Sequence, residues 1–185
     1  MEKSEFDANI EEMKQYDVLG VDTENSGTTR PAELWSGQHY LTGISVAWGL
    51  DSISSNYYPW RHESENLPRE WLPALKEVLT TKTLIFHNAF IDMAALSTLG
   101  IEITIPPFDT TVLAHMVNEE FPSKKLDWLS KFILKEEKYE KDKITRWGQT
   151  YGWETIPVGM MTPYAKKDAE LPLRLWQILW KEMAA

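Results

Sequence analysis

The sequence predicts an α/β domain built on a mixed sheet with helices packed against it. Three observations carry that prediction. Short apolar runs rich in β-branched residues, such as VLGV, LTGISVAW and TLIF, are interspersed with stretches whose apolar residues recur every three to four positions. Three strand candidates precede the first long helix, and the later ones sit between helices, an order that gives a mixed sheet. No repeat, low-complexity tract or linker divides the 185 residues, so residues 1–185 are expected to form one domain with a full core.

Phe6, Ile10 and Met13 fall at helical spacing and predict an N-terminal helix packed by one face. Val18 to Val21 predict a buried strand that runs into Asp22. The segment ENSGTTRPAELWSGQ has the look of a loop. LTGISVAW, Leu41 to Trp48, and the segment ending NYYPW, Asn56 to Trp60, predict two more strands with Asp51 and Ser52 in the turn between them. Pro68 opens a helix through Leu79, carried by Trp71, Leu72, Leu75, Val78 and Leu79. TLIF, Thr83 to Phe86, is an inner strand feeding a helix marked by Ile91, Ala94, Ala95 and Leu99, with Gly100 as its stop. IEITI, Ile101 to Ile105, predicts a strand closed by Pro106 and Pro107. Asp109 caps a helix to Val117, and KLDWLSKFIL is a further helix. Thr162 to Ala185 form a long last helix, in which Pro172 cannot donate to the Asp168 carbonyl and so predicts a kink. Trp71, Trp128 and Trp176 fall on apolar helical faces and belong to the core, whereas Trp35 lies in a loop.

An apolar content of 43% and a charged content of 25% are those of an ordinary soluble protein. Cysteine is absent, which excludes disulfides, thiolate metal sites and a cysteine nucleophile. No apolar run approaches the ~20 residues that cross a bilayer. The acidic start MEKSEFDANIEEMKQ lacks the apolar centre of a signal peptide, so a cytoplasmic location without membrane partners is expected. The net charge of −9 argues against indiscriminate nucleic-acid binding but not against an enzyme that meets phosphates through cations. Positive charge is uneven: Lys124, Lys125, Lys131, Lys135, Lys138, Lys141, Lys143 and Arg146 crowd one stretch, interleaved with Glu136, Glu137 and Glu140. A solvated helical face and a phosphate-tracking patch both account for it.

Asp22 and Glu24 stand at alternate positions at a strand end, so both can face one side of the sheet. Asp92 lies about a turn into the helix after TLIF, and Tyr164 precedes Asp168 by four residues on one helical face. Where strand ends and a helix start converge on one rim, open α/β sheets bind ligands. Each piece alone has a plain explanation: a solvated acidic turn, an acid favoured by a helix dipole, an ordinary surface pair. Converging carboxylates call for hard divalent cations such as Mg²⁺ or Mn²⁺.

Taken together, VDTEN, HNAFID and YAKKD resemble the three motifs of the DEDD 3′–5′ exonucleases, in the tyrosine subfamily. PFDTTVLAHMVNEE followed by KLDWLSKFIL is similar to the helical segment of the proofreading exonuclease domain of bacterial and phage family-A DNA polymerases. The resemblance implies a ribonuclease-H-like α/β fold, a mixed central sheet flanked by helices. It implies catalysis by Asp22, Glu24, Asp92, Tyr164 and Asp168 and two divalent metal ions, Mg²⁺ or Mn²⁺. Asp22, Glu24 and Asp168 would hold one ion, and Asp22 with Asp92 the other. The implied reaction is hydrolysis of the 3′-terminal phosphodiester of single-stranded or frayed DNA to nucleoside 5′-monophosphates, with Tyr164 positioning the water. Candidate substrate contacts are Asn25, where the family often carries threonine, Asn88, His87 and the aromatic Tyr139. For Asn88 an amide satisfying nearby backbone is the competing explanation, and for His87 a strand-end role. An RNA exonuclease of the ribonuclease D type and an inactive nucleic-acid-binding module are the alternatives. The expected partner is single-stranded DNA, with a separate DNA polymerase as a further candidate. A monomer is the expected state, and bacterial or phage-infected cytoplasm the expected setting.

Overall fold

Strands β1 (Val18–Asn25), β2 (Leu41–Trp48), β3 (Ser54–Pro59), β4 (Thr83–Phe86) and β5 (Phe108–Asp109) form one sheet, in the spatial order β3-β2-β1-β4-β5. The computed structural model describes residues 1–136 and 141–184. β1 pairs antiparallel with β2 (Gly20 opposite Ala47, Glu24 opposite Gly43) and parallel with β4 (Val18 opposite Thr83). The edges are β3, antiparallel to β2, and β5, parallel to β4. The sheet is therefore mixed.

Helices cover both faces. On one, α1 (Lys3–Met13), α3 (Leu72–Thr81) and α4 (Ala89–Ser97) bury Phe6, Ile10, Leu75, Leu79 and Ala95 against Leu19, Val21, Ile44, Val46, Leu84 and Phe86. On the other lies α8 (Val158–Met183), whose Ala169 and Leu173 pack on Ala47 and Ile85. The alternation of strand side chains produces this division, since Leu84 and Phe86 face one layer and Ile85 the other. Gly20 sets how close α8 can come. A Cβ there would lie 2.3 Å from the Ala169 carbonyl oxygen and 2.9 Å from Leu173 Cβ, so only glycine admits the helix at this height. Among the described residues no helix is long and apolar enough to cross a membrane.

Several elements differ from the sequence-based expectation. Ile101 to Ile105 form no strand. Ile101 is buried as an anchor, and the place beside β4 is taken by Phe108 and Asp109, the first residues after two prolines that lack donors. Part of the expected loop is a short helix, α2 (Pro31–Trp35), which Pro31 starts and buried Leu34 pins. After α5 (Thr110–Val117), KLDWLSKFIL is only briefly α-helical in α6 (Leu126–Leu129) before widening to a π turn, Ser130–Leu134. A further helix, α7 (Lys141–Tyr151), follows, and α8 begins at Val158, earlier than expected. α8 contains both Pro163 and Pro172 within its length.

Candidate active site

The site is built where β1 passes under α8. Gly20, Asp22 and Glu24 alternate along the strand and so share the face on which α8 lies. Because Ala169 rests on Gly20, its neighbour Asp168 is delivered to the acids of β1. Asp22, Glu24 and Asp168 each offer a carboxylate oxygen, and these oxygens lie within 4.8 Å of one another. Glu24 and Asp168 are only 8% and 5% exposed, so little water screens their repulsion. The donor set fits a hard divalent cation, whose opposed oxygen ligands stand roughly 4 Å apart.

Asp92 reaches the site from the other layer. Beyond the pairing of Gly20 with Ile85 the two parallel strands part. The Thr23 backbone N–H finds its acceptor in Asp92 Oδ1 at 2.9 Å, and the Thr23 hydroxyl donates to the same oxygen at 2.7 Å. Asp92 is 3% exposed. Burial raises its pKa to about 7, against the lowering effect of the two Thr23 hydrogen bonds, and the charges of Asp109 and Asp168 add to the rise. Tyr164, one turn before Asp168, is buried as well. Burial, then the charges of Asp168, Glu24 and Asp22, hold its phenol far above the ordinary tyrosine range. It is a neutral hydroxyl at any physiological pH.

Asp109 fixes the entry of α4. Its Oδ1 accepts from Asn88 N at 3.0 Å and Thr111 N at 2.8 Å, and its Oδ2 from Ala89 N at 2.9 Å. One carboxylate thus ties the starts of two helices together. It also holds Asn88 in the left-handed region (φ 67°), which asparagine tolerates better than most residues. Asp92, one turn further on, inherits its position from this junction.

A family model described as 3′–5′ exonuclease matches residues 1–184. The chain belongs to the 3′–5′ exonuclease family. It is 30% identical over 181 residues to DNA polymerase DpoZ of Salmonella phage PMBT28, covering 92% of this chain and 27% of that protein. It is 30% identical over 154 residues to DNA polymerase I of Chloroflexus aurantiacus, covering 78% of this chain and 16% of the polymerase. The chain therefore spans about a quarter or less of these relatives. Among solved structures, the POL domain of Pol1 from M. smegmatis in complex with DNA primer-template and dNTP superposes with a TM-score of 0.66 at 20% identity, over 100% of this chain and 27% of that one. The Aedes aegypti Nibbler EXO domain gives 0.67 at 14% identity, over 98% and 86%. Brucella melitensis NrnC with bound Mg²⁺ gives 0.64 at 18% identity, over 92% and 75%. The fold of this exonuclease domain is ribonuclease-H-like.

Around this acidic cluster the remaining sequence candidates are placed unequally. Asn25 ends β1, and its Oδ1 accepts from Gly27 N (2.9 Å) and Thr28 N (2.8 Å), so its carbonyl shapes the turn after the acids. That turn is pinned from outside: Gly27 has φ 100°, and a Cβ on it would come within 2.7 Å of the Trp153 ring. His87 Nδ1 lies 2.9 Å from the Thr110 hydroxyl, which donates to the Phe86 carbonyl, so this histidine stitches the two strand–helix junctions together. Asn88 lies exposed at the start of α4. Tyr139 falls outside the described residues. Trp71, Trp128 and Trp176 pack half-buried on apolar clusters, and exposed Trp35 donates to Ser97 Oγ at 3.1 Å. Thr23 and the second helix held by Asp109 were not anticipated. For Thr23 the strand alternation was the available signal, because a residue between Asp22 and Glu24 must face the layer that carries Asp92.

Proposed function

We propose that the protein hydrolyses the 3′-terminal phosphodiester of single-stranded or frayed DNA and releases nucleoside 5′-monophosphates. The observation that carries this is the convergence of Asp22, Glu24 and Asp168 within 4.8 Å, in a chain of the 3′–5′ exonuclease family. Asp22, Glu24 and Asp168 would hold one divalent ion and Asp22 with Asp92 a second, Mg²⁺ or Mn²⁺. When bound, such ions lower the pKa of a water and neutralise the charge that builds on the phosphate oxygens.

The side chains supply the rest. The carboxylates fix where positive charge collects, and Glu24, Asp92 and Asp168, being largely out of water, reorganise little during the reaction. Thr23 occupies one oxygen of Asp92 with two donors, which fixes the direction of the other. Tyr164 stays protonated with its hydroxyl bonded to Asp168, so its oxygen positions the attacking water by a hydrogen bond and does not act as a base. Tyr164→Phe is expected to lower kcat by about ten- to a hundredfold while Mn²⁺ affinity, followed by calorimetry, stays close to wild type. Wild-type turnover in this variant would remove Tyr164 from the reaction.

Relatives that are DNA polymerases support DNA as substrate and a DNA polymerase as functional partner. The test incubates 5′-labelled DNA and RNA strands of one sequence with the protein and Mg²⁺. A DNA ladder shortening from the 3′ end and abolished by EDTA is expected. Faster trimming of RNA would transfer the assignment to the RNA exonuclease alternative, and cleavage indifferent to EDTA would refute the acid cluster as its source.

A further inference from the structure

The chemistry derived above makes no use of the basic stretch between Lys124 and Arg146. Lys124, Lys125 and Lys141 line one open groove of about 560 Å³, together with Asn88, Thr111 and Ser123. The groove begins at His87 and Asn88, at the start of α4, the helix that carries Asp92 one turn further on. Ammonium, hydroxyl and amide groups can all donate to phosphate oxygens. Among the described residues that line it, Asp127 is the one carboxylate, and it is bonded to Lys141. Lys124 Nζ is steadied by the neutral carbonyls of Glu119 (2.6 Å) and Phe121 (2.9 Å). Among the described residues neither Lys124 nor Lys125 has a carboxylate within salt-bridge distance.

The concentration of positive charge matters because the rest of the molecule opposes nucleic acid. The chain carries a net charge of −9, and the site itself gathers acids. A strand approaching through its phosphates meets local attraction in this groove. We infer that the groove holds the phosphodiester backbone of the substrate strand on the 5′ side of the bond being cut. This inference rests on the exonuclease assignment and deepens it. Lys124 and Lys125 set affinity for a chain of phosphates and contribute little to a substrate that has only one.

Two substrates separate these effects: an oligodeoxynucleotide, and the p-nitrophenyl ester of thymidine 5′-monophosphate, which has no further phosphates. In the double variant Lys124→Gln/Lys125→Gln, the oligonucleotide KM is expected to rise about tenfold, kcat to change by no more than about twofold, and the KM of the ester to rise far less than that of the oligonucleotide. The slope of log KM against log salt should flatten by about 1.4, two phosphate contacts at roughly 0.7 each. Lys125→Gln alone disturbs no backbone contact and should give about a threefold rise, which guards against a folding defect in the double variant. Equal KM changes on both substrates, or an unchanged salt slope, would overturn the groove assignment. Should the wild type cleave neither substrate, the exonuclease assignment falls by itself. The groove is then tested by fluorescence anisotropy of a labelled oligonucleotide, where equal affinity and salt slope for wild type and Lys125→Gln would overturn it.

Discussion

Asp22→Ala is expected to reduce 3′-end hydrolysis by about a thousandfold while leaving the protein folded. Asp22 shares the cluster with both Glu24 and Asp168, so its loss removes the member on which both proposed ions depend. Stability should move the other way. The side chain is half-buried and faces like charges, so alanine gives up little packing and relieves repulsion. The thermal midpoint of the metal-free variant is therefore expected to equal or exceed that of wild type. A structural defect would lower activity and midpoint together. Retention of more than about a tenth of the wild-type rate would contradict the assignment of Asp22.

The second large effect is a pH dependence of stability that cations reverse. Burial, with the charges of Asp109 and Asp168, raises the folded-state pKa of Asp92 to about 7 from the ordinary 3.8. Between these values the folded form keeps a proton that the unfolded chain has lost, so unfolding free energy falls as pH rises. The loss from this group starts near the unfolded pKa and is complete above the folded one, reaching at most about 4 kcal/mol. In EDTA, wild type should therefore weaken between pH 5 and pH 8 relative to Asp92→Asn, which keeps an acceptor oxygen for Thr23 and carries no charge. His62 shifts in the opposite sense, because burial lowers its pKa, and comparison with Asp92→Asn cancels that contribution. Added Mn²⁺ should stabilise wild type more at pH 8 than at pH 6, since protons compete for the same carboxylate. Parallel urea profiles for wild type and Asp92→Asn at every pH would show that Asp92 is not dehydrated as the structure has it.

The contrast between what the sequence disclosed and what it hid has physical causes. β1, β2, β4 and α8 were legible because burial on both faces forces long apolar runs, and a helix crossing a whole sheet needs a long periodic face. The acids were legible because nothing in apolar packing favours Asp22, Glu24, Asp92 and Asp168 within such elements. β5 was not: two residues of pairing leave no period, and the apolar IEITI before it outweighed them. α2 is held by one buried leucine and a proline start, too little for a pattern among polar neighbours. Asp109 was legible as a cap for the helix that follows it, but its bonds to Asn88 and Ala89 span about twenty residues, and local spacing cannot report them. For Thr23 alternation gives the face, but its bond to Asp92, 69 residues away, is beyond local spacing in the same way.

The central claim is that acids from β1 and α8 converge in order to share divalent cations. Anomalous scattering from crystals grown with Mn²⁺ tests it without reference to activity. The expected result is a peak bounded by the carboxylates of Asp22, Glu24 and Asp168, lost in Asp22→Ala. Mn²⁺ bound only elsewhere on the protein, with these three carboxylates turned away from one another, would contradict it.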